Sequence, residues 1–90
     1  MLSIALCDDE AVIRRLLEQQ IRSILKQNRI SSTLTAYSNG KDLLEDLSRQ
    51  SFHLFFLDIA MPRVSGFDLA ETIRQSSPQA PLFLSPPGRI

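Results

Sequence analysis

Ile4-Ala5-Leu6-Cys7-Asp8-Asp9-Glu10 runs from an apolar segment straight into a group of acids. Both alternating sets, Ile4 with Leu6 and Ala5 with Cys7, are apolar, which is the pattern of a strand buried on both faces in a sheet covered by helices. Beyond the acids, Ile13, Leu16, Leu17, Ile21, Ile24 and Leu25 recur at three- and four-residue steps. That spacing marks one face of a helix ending near Asn28. Asp9 is its expected N-cap, and Glu10 with Arg14 and Glu18 with Arg22 are expected i, i+4 pairs. Lys26 falls in the last turn, where the helix dipole favours a cation.

The same alternation continues along the chain. Ser32 to Tyr37 is β-branched and aromatic enough for a short strand, and Ser38-Asn39-Gly40 turns it into a helix bearing Leu43, Leu44 and Leu47. Phe52-His53-Leu54-Phe55-Phe56-Leu57, the most apolar segment, reads as a central strand that stops at Asp58. Met61-Pro62-Arg63-Val64-Ser65-Gly66 is a loop opening a third helix with Phe67, Ala70 and Ile73, closed by Ser76-Ser77-Pro78. Pro81-Leu82-Phe83-Leu84-Ser85 is a fourth strand, with its proline at the tolerated first position. The connections are too long for hairpins, so the strands run parallel with right-handed helical crossovers, an α/β doubly wound sheet. Pro86-Pro87-Gly88-Arg89-Ile90 forms neither helix nor strand.

Composition narrows the function. Ninety residues hold one small domain, and 43% apolar with 22% charged residues is a globular balance. Lys plus Arg and Asp plus Glu number 10 each, so there is no basic excess for non-specific nucleic-acid or anionic-membrane binding. No apolar run approaches the roughly 20 residues of a spanning helix. A single cysteine, Cys7, makes no internal disulfide and points to a reducing compartment, so the expected location is cytoplasmic. The N-terminus lacks a basic region and meets Asp8 too early for an export signal.

In an open α/β sheet the ligand site lies beyond the carboxyl ends of the strands. Asp8 and Asp9 follow strand one and Asp58 ends strand three; if these strands are neighbours, roughly 4.8 Å apart, the carboxylates converge. Clustered like charges need a counter-charge, and short oxygen ligands suit Mg²⁺. Asp9 and Asp58 would ligate it together with the Ala60 carbonyl, Asp8 acting through water. Asp58 is also the better nucleophile toward a phosphoryl group, because an acidic pair on the neighbouring strand already serves the metal, and Ser85 could donate its hydroxyl to a phosphoryl oxygen.

Each residue also has a plainer reading. An acid pair at a strand-to-helix junction is often a cap, Asp is a favoured turn residue, and strand-end serines mostly bond nearby backbone. His53 has no second His or Cys at metal-ligand spacing, Cys7 reads as a small buried apolar residue, and Arg14 and Arg15 belong to a solvated helix face. The joint arrangement of acids is what favours a site.

Cys7-Asp8-Asp9-Glu10, Phe56-Leu57-Asp58-Ile59-Ala60-Met61-Pro62, Gly66-Phe67-Asp68-Leu69-Ala70 and Leu82-Phe83-Leu84-Ser85 together resemble the receiver domain of two-component response regulators. The opening is most similar to receivers that precede LytTR-type DNA-binding domains. The resemblance spans residues 1–85 and implies a flavodoxin-like domain of strand order 2-1-3-4-5 that accepts a phosphoryl group from a sensor histidine kinase. By that resemblance Asp58 is the phosphoacceptor, Asp8 and Asp9 are the acidic metal pair and Ala60 is the backbone-carbonyl ligand. Ser85 is the hydroxyl switch residue, and Met61, Pro62 and Gly66 shape the pocket loop.

The family continues after strand four with a helix, a fifth strand ending in a phosphoryl-contacting lysine, and a last helix. None of these has a counterpart here, so a receiver truncated after strand four, with residues 86–90 as a non-family tail, is expected. Strand four would then be an exposed apolar edge, and a homo-oligomer or element-swapped dimer through it is expected. The chain is expected to be a signalling domain and not an enzyme, with no nucleic-acid or membrane partner of its own. Two alternatives remain open. One is an interaction fragment that is never phosphorylated. The other is a Mg²⁺-dependent phosphohydrolase with an aspartyl nucleophile, for which Ala60 stands where a second Asp is wanted.

Overall fold

The sheet is built from in-register parallel strands whose carboxyl ends carry the acids. The computed structural model describes residues 1–58 and 66–85. Its elements are β1 (Leu2–Cys7), α1 (Ala11–Gln27), β2 (Ser32–Tyr37), α2 (Gly40–Leu47), β3 (Leu54–Asp58), α3 (Gly66–Ser76) and β4 (Leu82–Ser85), with strand order β2-β1-β3-β4. All three pairings are parallel. The expected doubly wound α/β order 2-1-3-4 is therefore observed.

Residues in register share a face. Ala5, Cys7, Phe55 and Leu57 line one side of the sheet, where Leu43 of α2 and Leu69 and Ile73 of α3 complete the core. Tyr37, Phe52 and Phe55 meet edge-on there, with ring centroids 6.3 Å and 5.7 Å apart for the successive pairs. The opposite side carries Ile4, Leu6, Leu54 and Phe56, and right-handed crossover places α1 over it.

Helix α1 departs from the expected packing. Leu25 is buried and Ile13, Leu17 and Ile21 are half-buried, but Leu16 and Ile24 are exposed. Arg22 pairs with Glu18 as expected and also donates to the Leu34 carbonyl of β2. That contact lies on the flank of the helix near β2, and the Leu16 and Ile24 flank is exposed. The apolar periodicity thus marked a stripe wider than the surface α1 covers. Its end is a complete Schellman motif, with Arg29 N–H on the Lys26 carbonyl, Ile30 N–H on the Leu25 carbonyl and Arg29 at φ 56°.

Two contacts fix the remaining elements. The Asn39 side chain caps α2 by accepting the Asp42 N–H at 2.8 Å. At the far end of the sheet, His53 and Ser3 exchange two bonds, His53 N–H to the Ser3 carbonyl and Ser3 N–H to His53 Nδ1.

The Tyr37 hydroxyl, at the end of β2, donates to the Asp46 carboxylate of α2 at 2.6 Å. That bond, followed by the Arg49 contact, holds Asp46 below its ordinary carboxylate value. A carboxyl whose folded pKa is depressed contributes stability above its unfolded pKa and loses it as pH falls through the folded one. Tyr37→Phe is therefore expected to lower the urea midpoint clearly at pH 7 and by much less at pH 3. Equal losses at both pH values would show that the bond's charge is not what matters.

Candidate functional site

The strand ends bring the predicted acids together. Cys7 is in register with Leu57, so Asp8 lies beside Asp58 at the adjacent ends of β1 and β3. Carboxylate oxygens of Asp8, Asp9 and Asp58 lie within 4.8 Å of one another. Asp8 and Asp58 are only 1% and 3% exposed, whereas Asp9 is open to solvent. Two buried acids beside a solvent-facing one form a cup that opens outward, and all the donors are hard oxygens, a set that fits Mg²⁺.

Local bonding shows how the cup is held. The Asp8 N–H continues the sheet by donating to the Tyr37 carbonyl at 3.1 Å. Asp8 Oδ1 accepts the Glu10 N–H at 2.9 Å, an Asx turn that starts α1. Glu10, not Asp9, is the N-cap, and its side chain makes no capping bond. Asp9 is thereby left facing the cup instead of the helix.

Arg14 is the residue the sequence reading missed. It is half-buried, and its Nη1 donates to the Asp8 backbone carbonyl at 2.9 Å. Side chains on a helix lean toward its N-terminus, so a long cation in the first turn and a half reaches back over the residues preceding the helix. That direction was the available signal, and the expected pairing with Glu10 obscured it.

Charge crowding is visible in the neighbouring groups. Desolvation raises the Asp9 carboxyl above its ordinary value, and the Asp58 and Asp8 charges add to the shift. The Cys7 thiol is pushed up to about 12, by burial first and then by Asp8, Asp58 and Asp9. It stays a thiol at neutral pH, which supports its reading as a buried apolar residue over a nucleophile.

Ser85 is in register with Asp58 across β3 and β4, so its backbone stands at the cup. The Ser85 hydroxyl, the Ala60 carbonyl and the Met61-Pro62 loop lie outside the described residues. His53 sits at the opposite end of β3 and is bonded to Ser3.

Residues 4–85 match the family described as the response regulator receiver domain. Regulator of RpoS from Escherichia coli K12 is 35% identical over 81 residues, covering 90% of this chain. The chain spans only 22% of that relative's length. Among solved structures, the response regulator protein TrrA from Thermotoga maritima in complex with Mg²⁺-BeF aligns at a TM-score of 0.81 with 29% identity, over 96% of this chain and 70% of TrrA. TrrA in complex with the histidine kinase ThkA aligns equally well, at 0.81 with 28% identity, over 100% of this chain and 72% of that one. With the order β2-β1-β3-β4, acids at the ends of β1 and β3 and a family match over most of its length, this chain belongs to the response regulator receiver domains.

Proposed function

We propose that the chain is a phosphoacceptor: Asp58 receives a phosphoryl group from a sensor histidine kinase, with Mg²⁺ held by Asp8, Asp9, Asp58 and the Ala60 carbonyl. The observation that carries this is the convergence of the Asp8, Asp9 and Asp58 oxygens within 4.8 Å at the carboxyl end of a parallel sheet. Support comes from TrrA, solved both with Mg²⁺-BeF and with a histidine kinase.

Bound Mg²⁺ would neutralise the acids and the charge on the transferred phosphoryl oxygens. The chain's own residues do the rest. Asp58 presents its carboxylate as the nucleophile from a strand whose backbone is locked on both sides. Arg14 steadies the Asp8 backbone, and the Ser85 hydroxyl is the switch group that meets the phosphoryl oxygens. The receiver unit comprises residues 1–85, and 86–90 form a tail.

The chain works as a signalling domain in the cytoplasm, not as an enzyme, and reads no nucleic acid itself. No described helix is long and apolar enough to cross a membrane.

Acetyl phosphate with Mg²⁺ tests the assignment. Asp58 forms a new P–O bond as the bond to acetate breaks, and intact-mass spectrometry is expected to show one phosphoryl group added. The gain should vanish with EDTA. A wild-type chain that gains no mass and shows no response to beryllofluoride would overturn the proposal.

A further inference from the structure

Asp9 is exposed, so its carboxylate is aimed chiefly by the backbone that carries it, through the peptide planes on either side. The plane between Asp9 and Glu10 is pinned through its amide, since the Glu10 N–H donates to Asp8 Oδ1 at 2.9 Å. The plane between Asp8 and Asp9 is pinned through its carbonyl, which accepts from Arg14 Nη1 at 2.9 Å. Just before them, the Asp8 N–H is tied to the Tyr37 carbonyl of β2 at 3.1 Å.

Arg14 grips this turn twice. Its own backbone N–H donates to the Glu10 carbonyl at 2.8 Å, the bond that opens α1, while its half-buried side chain reaches back to Asp8. Asp9 is therefore bracketed by bonds that one residue makes to the positions before and after it. A planar guanidinium offers donors in a fixed fork, which suits it to hold a carbonyl in one direction. Its charge acts in the opposite sense, because a cation near the acids repels a dication. That effect is the smaller one: Arg14 influences the Cys7 thiol less than Asp8, Asp58 or Asp9 does, whereas groups that orient metal ligands change affinity by roughly 10–100-fold.

We infer that Arg14 is a positioning residue for the metal site: by fixing the Asp8–Asp9 peptide it aims the Asp9 carboxylate and so sets the affinity for Mg²⁺. The inference rests on the Mg²⁺ site proposed above and adds a residue that touches neither the ion nor the phosphoryl group. Without the Arg14 bond the Asp8–Asp9 plane is free to turn, and ordering it again when the ion arrives costs affinity. Arg15, exposed and one residue further along α1, carries the same charge and separates the bond from the charge.

Titration of the 90-residue chain with Mg²⁺ in a calorimeter tests this. Arg14→Met should raise the Mg²⁺ dissociation constant by roughly tenfold or more with circular dichroism unchanged, although loss of its charge alone would lower it. Arg14→Lys should fall between that variant and wild type, and Arg15→Met should stay within about twofold of wild type. In Mg²⁺-free protein the Glu10 amide of Arg14→Met should exchange with deuterium several times faster than in wild type, while the Ala5 and Leu57 amides stay protected. Mg²⁺ binding by Arg14→Met as tight as wild type or tighter overturns the inference, as does unchanged Glu10 exchange or an equal weakening in Arg15→Met. A wild-type chain that binds no Mg²⁺ overturns the metal site itself, and the inference with it. If Arg14→Met fails to fold, Arg14→Lys decides, and binding equal to wild type is then the overturning result.

Discussion

Asp58→Asn is expected to abolish phosphoryl uptake completely and, without Mg²⁺, to make the fold more stable. The first effect follows from removing the proposed nucleophile. The second follows from charge: oxygens of the three acids lie within 4.8 Å, and Asp8 and Asp58 are both buried. At that separation and an effective dielectric of about 20, two carboxylates repel by on the order of 3 kcal/mol. Neutralising Asp58 relieves much of this, and the asparagine keeps the size and an accepting oxygen. A net gain of about 1–2 kcal/mol is expected in urea denaturation with EDTA, with an unchanged m-value. Excess Mg²⁺ should close or reverse the gap, because the wild type binds the ion better and is stabilised by it. A variant no more stable than wild type in EDTA would mean that the three acids are not in electrostatic conflict. Mass gain in the variant would mean that another residue is the acceptor.

Phe55→Ala should be the most damaging core substitution. Phe55 is fully buried, packs edge-on against Phe52 and belongs to the cluster joining the sheet to α2 and α3. Truncating such a ring costs about 3–5 kcal/mol. A domain of this size has only roughly 5–13 kcal/mol in total, so the variant should lose roughly a quarter or more of its stability. The neighbouring Phe56 is the control. It is half-buried on the other side of the sheet, and Phe56→Ala should cost clearly less. Equal urea midpoints for the two variants would contradict the sidedness of the core.

That contrast also shows where the sequence stopped being readable. Leu54, Phe55, Phe56 and Leu57 are all apolar, so the strand was plain from sequence. Which of its faces carries the full core depends on where α2 and α3 land. The acids were legible for a different reason. Asp8 and Asp58 each follow an unbroken apolar strand, and adjacency of those strands alone makes them converge.

The misreadings share one cause, which is that side chains answer to partners distant in sequence. Leu16 and Ile24 have the right helical phase, yet both are exposed, and it is the opposite flank of α1 that meets β2 through Arg22. Asp9 has the right type for a cap, but Asp8 takes the Glu10 N–H first. Arg14 had an acid four residues before it and bonded a carbonyl instead.

The bond from Ser3 N–H to His53 Nδ1 gives the molecule a built-in spectroscopic label. An accepting Nδ1 requires the tautomer with its proton on Nε2. The chain contains a single histidine, so one imidazole signal in a nitrogen-15 spectrum carries no overlap from any other. That signal reads the seam between β1 and β3 at the end remote from the acids. Fraying of the sheet would show there as loss of the tautomer preference, separately from anything that happens to the carboxylates.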